Sequence, residues 1–246
     1  MTEISWRGWL NSRSLKAHMQ WVDRGHTGDG RLVVVGKDLH GMGPLRDLRG
    51  ARFVRCDMTG ANLTRTMCDD IELAGCVLTG AELGEADFPG ATIEDCRADG
   101  CNMRLANFND ARIHLGNWQR IEGEHSRWQN ATVLGVDFRG AHLRNPTLDG
   151  AELSRCDFRG AELRRGDTSF DLGTAYDTVF RSCDFRGADL AGLRLRDTLF
   201  VRCAFAGALG QPEIEGACDV IEADFSAEWD GSDVRPEAAV LASWTR

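Results

Sequence analysis

Residues 46–227 predict an all-β solenoid: a chain of short extended sides wound about nine times around one axis, with a short helical cap at each end. Three observations predict it. The phrase Cys156 to Leu163, CDFRGAEL, returns as Cys183 to Leu190, CDFRGADL. In blocks of twenty, Cys56-Asp57-Met58, Cys76-Val77-Leu78, Cys96-Arg97-Ala98, Val136-Asp137-Phe138 and Cys156-Asp157-Phe158 fall in one column. Within each block every fifth residue is usually large and apolar, as in Leu48, Phe53, Met58, Leu63, Leu73, Leu78, Leu83, Phe88 and Ile93.

A five-residue period fits neither the 3.6 of a helix nor sustained alternation. It fits a three-residue extended stretch followed by a two-residue corner. Residues two apart on an extended stretch point the same way, so the small residue two places before each large one also faces inward. Ala51, Cys56, Ala61, Cys76, Ala81, Ala86 and Ala91 hold that small position. Gly50, Gly60, Gly80, Gly90, Gly100, Gly140, Gly150 and Gly160 stand at corners, where glycine tolerates positive φ. Four sides of five residues make one square turn of twenty.

The pattern resembles that of the pentapeptide repeat family, whose consensus is A-(D/N)-L-x-x. Ala61-Asn62-Leu63, Ala81-Glu82-Leu83, Ala86-Asp87-Phe88, Ala106-Asn107-Phe108, Ala151-Glu152-Leu153, Ala188-Asp189-Leu190 and Ala223-Asp224-Phe225 carry the resemblance. It implies a right-handed quadrilateral β-helix. The pattern weakens from Gly116 to Asn130, where Ile121, Gly123 and Ser126 break the rule. After Leu163 the phase shifts by two, and Phe180, Phe185, Leu190, Leu195, Phe200 and Phe205 continue it. A seven-residue insertion within Arg165 to Asp177 explains both the shift and the 27-residue recurrence, and predicts a protruding loop containing Asp167, Phe170, Asp171 and Tyr176.

The flanks divide the chain into 1–45, 46–227 and 228–246. A helix is expected from Ser14 to Arg24, with Leu15, Met19 and Val22 on one face, serines as caps and Gly25 as a stop. The order Leu15-x-x-His18-x-x-Trp21 is similar to amino-terminal extensions of some pentapeptide repeat proteins. Asp233 and Pro236 start a second short helix whose Val240, Leu241 and Trp244 either cap the last coil or join two molecules in a homodimer.

Composition narrows the chemistry. A net charge of -9 and a pI near 5.2 disfavour direct nucleic-acid binding and anionic membrane surfaces. No apolar run approaches the roughly 18 residues of a membrane span, and Met1 to Trp6 lack the pattern of a secretion signal, so a cytoplasmic protein is expected. Eight of the nine cysteines take the small inward position and Cys68 the large one, which marks them as core residues rather than ligands. The six histidines are scattered, and no phosphate loop, HExxH or nucleophile motif is present. No catalytic, cofactor or metal site is expected.

Charge supplies the candidate site. Asp137, Asp157 and Asp184 should stack as a column beside Arg139, Arg159 and Arg186, a self-neutralising ladder. Two zones are one-sidedly acidic: Cys68–Asp99, with Asp69, Asp70, Glu72, Asp87, Glu94 and Asp95, and Glu213–Glu237, with Asp219 and Glu222. Some members of the resembled family mimic duplex DNA, bind DNA gyrase or topoisomerase IV, and protect it from quinolones or topoisomerase poisons. The resemblance therefore implies acidic residues as phosphate surrogates, the insertion loop as a further contact, and a carboxy-terminal dimer. Duplex DNA carries one charge per roughly 1.7 Å, so a rod of about 43 Å would need about 25 negative charges. Mimicry must be local, and Arg112, Arg155, Arg181 and Arg202 interrupt the acidic stripe. The alternative expectation is an interaction scaffold with a different protein partner, docking through Trp6, Trp9 and the amino-terminal helix.

Overall fold

The computed structural model describes residues 12–166 and 173–244. An all-β solenoid of about nine turns runs between two short helices. Its first wall is a parallel sheet of ten strands stacked coil on coil: Val33–Val35, Arg52–Val54, Glu72–Ala74, Thr92–Arg97, Arg112–Asn117, Thr132–Asp137, Glu152–Ser154, Val179–Arg181, Thr198–Val201 and Cys218–Ile221. The other walls are narrower. Asp57, Val77, Arg97, Asn117, Asp137, Asp157, Asp184 and Ala204 pair up the second wall, Asn62, Glu82, Asn102, Glu122, His142, Glu162 and Asp189 the third, and Asp47, Met67, Asp87, Asn107, Arg127, Thr147 and Thr174 the fourth. The stack begins at Val33, paired with Arg52, earlier than the boundary expected at 46.

Each coil hides its small and large residues from water, as the five-residue period requires. Phe53, Leu73, Ile93, Ile113, Val133, Leu153, Phe180, Phe200 and Val220 fill the first wall from inside. Aromatic rings stack directly along the axis because successive coils place them one β-spacing apart. The centroids of Phe138 and Phe158 are 5.1 Å apart, those of Phe158 and Phe185 5.1 Å, and those of Phe185 and Phe205 5.4 Å. All nine cysteines are free and buried. Burial pushes the Cys101 thiol up to about 12.

The coil from Gly116 to Asn130 keeps register, with Glu122 bridging Asn102 below and His142 above. Its irregular residues are a volume exchange. Trp118 and Trp128 are both buried; Gly123 gives up its side chain at a large position, and Leu143 fills the space, its Cδ2 lying 2.6 Å from where a Cβ would stand. Ser126 Oγ accepts the Trp128 indole N–H at 2.8 Å and donates to the Gly123 carbonyl at 2.6 Å, whereas the Trp118 indole N–H is buried without a partner.

The insertion is narrower than Arg165 to Asp177. Pairing jumps from a spacing of 20 at His142–Glu162 to 27 at Thr147–Thr174, which places the seven added residues at 166–172. Asp167, Phe170 and Asp171 lie outside the described residues. Tyr176, expected in the loop, belongs instead to the strand Thr174–Tyr176 of the fourth wall, because Gly173 takes the inward place that Gly166 would have held. Its hydroxyl donates to Glu215 Oε2 at 2.5 Å and its ring carries the Arg196 guanidinium at 4.1 Å.

Helix α1, Ser12–Asp23, closes the first end. His18, Trp21 and Val22 are its buried face, and Leu15 packs partly against the core. Helix α2, Glu237–Trp244, closes the other. Val240 is fully buried, and Trp244 meets Phe200 and Phe205 edge-on at 5.7 and 5.5 Å. Leu241 is partly buried beside them. A hairpin of Ala223–Asp224 and Val234–Arg235 covers the end of the second wall.

Candidate interaction surface

The interior offers no room for a substrate. The void lined by Leu73, Leu78, Phe88, Met103, Phe108 and Trp118 is about 10 Å³, room for one water molecule at most. Among the described residues no group of His, Cys, Asp or Glu is arranged to hold a metal ion, and no helix is long and apolar enough to cross a membrane. The outside of the walls is where the chain presents its charged side chains.

The ladder of the second wall forms as expected. Arg139, Arg159 and Arg186 each grip the aspartate two residues before them, at 2.7, 2.6 and 2.7 Å, and Arg139 and Arg159 lean toward the next aspartate at 3.6 and 3.5 Å. Burial works to raise the Asp137 carboxyl, but hydrogen bonds from Arg139 and Gln119 outweigh it and hold the group below the usual range. These charges neutralise one another.

The acidic residues singled out in the sequence do not form one surface. Asp69 and Asp70 stand at the corner between the fourth and first walls, Glu72 and Glu94 on the first wall, Asp95 at its far edge, and Asp87 on the fourth wall, 3.9 Å from Arg127. Glu72 is bound by Arg31 at 2.7 Å and approached by Arg52 at 3.3 Å. Asp219 and Glu222 lie at the opposite end of the rod, where Arg202 binds Glu222 at 2.6 Å.

One corner collects more of the acid. Up the corner between the fourth and first walls run Gly50, Asp70, Gly90, Asp110, Asn130, Gly150, Asp177 and Asp197, all at positive φ. Beside them, one residue earlier at the same corner, stand Arg49, Asp69, Pro89, Asn109, Gln129, Asp149, Tyr176 and Arg196. No ion pair engages Asp69, Asp70, Asp110, Asp149, Asp177 or Asp197 among the described residues. The groups instead align through neutral bonds: Asn130 Nδ2 donates to Asp110 at 3.3 Å, Asn109 Nδ2 to Gln129 at 3.1 Å, and the Tyr176 N–H to Asp149 at 3.1 Å. A shallow groove of about 370 Å³ follows this corner past Asn109, Asp110, Gln129, Asn130, Asp149 and Asp177.

Backbone preference alone does not explain the acid. Asp and Asn tolerate positive φ well, but the next corner holds Arg55, Leu115, Arg155 and Arg202 at φ of 51 to 57°. Sequence reasoning missed Asp110, Asp149, Asp177 and Asp197 because each stands alone within its own stretch; only the twenty-residue column, corrected for the insertion, collects them.

The geometry defines a class, a square β-solenoid of five-residue units presenting flat lateral walls. The pentapeptide repeats family model matches in eight copies, over residues 47–80, 56–95, 71–110 and 129–167. Over those residues the chain carries the repeats of the pentapeptide repeat family. No curated protein matches it in sequence. Among solved structures it is similar to HetL, a pentapeptide repeat protein involved in heterocyst differentiation regulation in the cyanobacterium Nostoc sp. strain PCC 7120, at 19% identity over 82% of this chain and 89% of that one, with a TM-score of 0.35. It is similar to a trypsin-treated form of QnrB1, a plasmid-mediated fluoroquinolone resistance protein, at 21% identity over 79% and 92%, TM-score 0.27. A pentapeptide repeat protein of the Arabidopsis thaliana thylakoid lumen matches at 20% over 55% and 71%, TM-score 0.20.

Proposed function

We propose that the protein is a non-enzymatic rod that docks its acidic corner into a basic, DNA-binding groove of a protein partner, and that this partner is a type II topoisomerase, DNA gyrase or topoisomerase IV, which the rod shields from a quinolone or another poison. One observation carries the reading: six carboxylates without ion pairs, Asp69 to Asp197, line a single corner. They span six coil steps, about 29 Å at roughly 4.8 Å per step. One strand of DNA presents about one phosphate per 3.4 Å of axis, or about eight or nine over that length. The corner reaches about two thirds of that density, whereas the whole rod at -9 falls far short of a duplex. What is mimicked is one strand, not two.

Supercoiling by gyrase at increasing amounts of the protein tests this, with and without a quinolone. The wild-type rod should inhibit supercoiling or preserve it against the drug, and a variant with Asp110, Asp149, Asp177 and Asp197 changed to Asn should do neither. Unaltered gyrase activity at a large excess of folded wild-type protein sinks the topoisomerase reading. A pull-down that recovers a different basic protein through the same four aspartates would leave an interaction scaffold with another partner.

A further inference from the structure

The repeated phrase loses its charge at the last full coil. Val136 to Leu143, VDFRGAHL, Cys156 to Leu163, CDFRGAEL, and Cys183 to Leu190, CDFRGADL, are followed one coil on by Cys203 to Gly210, CAFAGALG. Where the preceding copy has Asp184, Arg186 and Asp189, this one has Ala204, Ala206 and Leu209. Ala204 is covered from within, since Asp224 pairs above it. Leu209 is not. It ends an outward column on the third wall that is polar from Asn62 through Asp189, nothing pairs above it among the described residues, and it is 60% exposed.

The third wall stops here because the chain leaves the stack. The next coil supplies a first side, Cys218–Ile221, and a second, Ala223–Asp224, and then turns into the hairpin and α2. One coil below, the third side is closed by three rungs: the Gly187 N–H donates to the Ala206 carbonyl at 3.0 Å, the Leu209 N–H to the Ala188 carbonyl at 2.7 Å, and the Leu190 N–H to the Leu209 carbonyl at 2.9 Å. The counterparts on the last full coil are the Gly207 N–H, the Ala208 carbonyl and the Gly210 N–H, and none of them has a partner among the described residues. Ala188 is fully buried, whereas Ala208 is only partly so. Beside this open edge, α2 and the hairpin leave a recess of about 590 Å³, floored by Leu190 and Phe205 and walled by Phe225 and Trp244. Gln211 Nε2 ties its rim to the Ser243 carbonyl at 3.0 Å. Arg235, also at the rim, is already bound by Asp233 at 2.7 Å and lies over the Phe225 ring at 4.2 Å.

We propose that this open edge receives an extended, uncharged segment of a partner protein, which adds as the missing third side of the last coil, parallel to Gly207–Gly210. Two free donors and one free acceptor, spaced as in the coil below, are met by the carbonyls and one N–H of a single strand. Register sets the side chains. The residue over Ala208 points inward and is small; the next stands outward over Leu209 and is apolar; the third enters the recess against Phe225 and Trp244 and is large. A charge at either inward place would be buried without a counter-ion, because Arg235 is already paired. Size selects a segment over a second rod. Three residues span about 10 Å, and an edge of that length covers on the order of 300 Å², well short of the roughly 800 Å² per partner of a stable interface between folded proteins. The edge lies on the third wall, away from the acidic corner, so the two surfaces are separate.

Titration of the full chain with blocked peptides of about seven residues, followed by amide NMR, tests the proposal. The peptides are threonine throughout, except for a central run of alanine, valine and then leucine, phenylalanine or tryptophan. At least one should shift the Gly207 and Gly210 amides with a Kd below about 1 mM, and a peptide with aspartate in the large place should not. Leu209→Asp restores the residue type of the coil below, so the fold is kept, and it should weaken binding at least about fivefold. Changing Asp110, Asp149, Asp177 and Asp197 to Asn should leave binding unaltered, which separates this edge from the acidic corner. No shift at either glycine with any of the peptides at about 5 mM overturns the proposal. So does slow exchange of both amides in the free protein, for then another part of this chain or a second copy already fills the edge.

Discussion

At the scale of single residues, inward positions tolerate almost no change of volume, because each meets the coil above and the coil below. Gly116 shows the backbone version of this. At φ 138°, a Cβ there would stand 2.5 Å from the Cys96 carbonyl oxygen, a backbone atom fixed by its own strand. Gly116→Ala is therefore expected to cost about 3 kcal/mol or more. Gly60, also at positive φ, has nothing within 4 Å of its missing Cβ, so Gly60→Ala should cost only about 1 kcal/mol. Urea unfolding of the two variants checks the difference, and equal losses would mean that the coils yield more than their spacing implies. The thiols give a second residue-scale test. Cys101 and Cys218 have thiols pushed up to about 12 by burial first of all, and Cys101 also donates to the Leu78 carbonyl at 2.8 Å. A disulfide reagent at pH 8 should leave all nine thiols unmodified on a timescale of hours and titrate all nine once the protein is unfolded.

At the scale of elements, the two helices do the same work with different chemistry. Helix α2 covers the last coil with the apolar Val240 and Trp244, beside one hydrogen bond from Gln211 to the Ser243 carbonyl, so Trp244→Ala should uncover Phe200 and Phe205 and cost about 3 kcal/mol, read from thermal unfolding. Helix α1 depends on a neutral imidazole. His18 is fully buried, and its Nδ1 accepts the Leu32 N–H at 3.0 Å, which a protonated ring cannot do. Its ring lies near Trp21, which stacks on His26 at 4.6 Å. Burial depresses the imidazole most; His26 and Arg31 add to that, while Asp47 and the Arg49 backbone oppose it. A base with a lowered folded-state pKa contributes its stability in full above the ordinary value near 6.5 and loses it as the pH falls below. Hydrogen exchange at the Leu32 amide should therefore lose protection between about pH 6.5 and 5, before the strands of the first wall do. Equal protection of that amide at both pH values, with the strands intact, would show that the ring stays neutral or that the cap holds without its bond. Most of this level was legible in advance, because the five-residue period alone dictates sides, corners and inward columns. The start of the stack at Val33 was not: Val33 to Leu39 pair by contacts 19 residues away and lack the small-polar-large signature. Nor was the true place of Tyr176, since the phase shift locates an insertion only to within the repeats that flank it.

At the scale of the whole molecule, an acidic protein of this shape must either neutralise its charges between coils or bear their repulsion, and the rod does both on different corners. The second wall neutralises: Asp157 and Asp184 sit under Arg159 and Arg186, and Asp184 is only 5% exposed. The acidic corner bears the repulsion: Asp177 and Asp197 stand on adjacent coils with no cation bound to either among the described residues. Two like charges at about 4.8 Å repel by about 1 kcal/mol even in water. This contrast also explains why the candidate surface was only partly legible, since runs of acid are visible along the chain whereas an unpaired column depends on which cations the fold brings near. The two corners should respond oppositely to neutralisation. Changing Asp110, Asp149, Asp177 and Asp197 to Asn keeps a residue suited to positive φ or to a corner bond and removes repulsion, so the melting temperature should stay level or rise by a few degrees at low salt, with the gain fading as salt is added. Changing Asp157 and Asp184 to Asn leaves half-buried guanidinium groups without their anions, and should lower stability by about 2–4 kcal/mol at any salt. Thermal melts of both variants at low and high ionic strength measure this directly. If the corner variant instead loses stability as the ladder variant does, those four aspartates hold the coils together, and their exposure and lack of cations are not the mark of a surface kept acidic at the expense of stability.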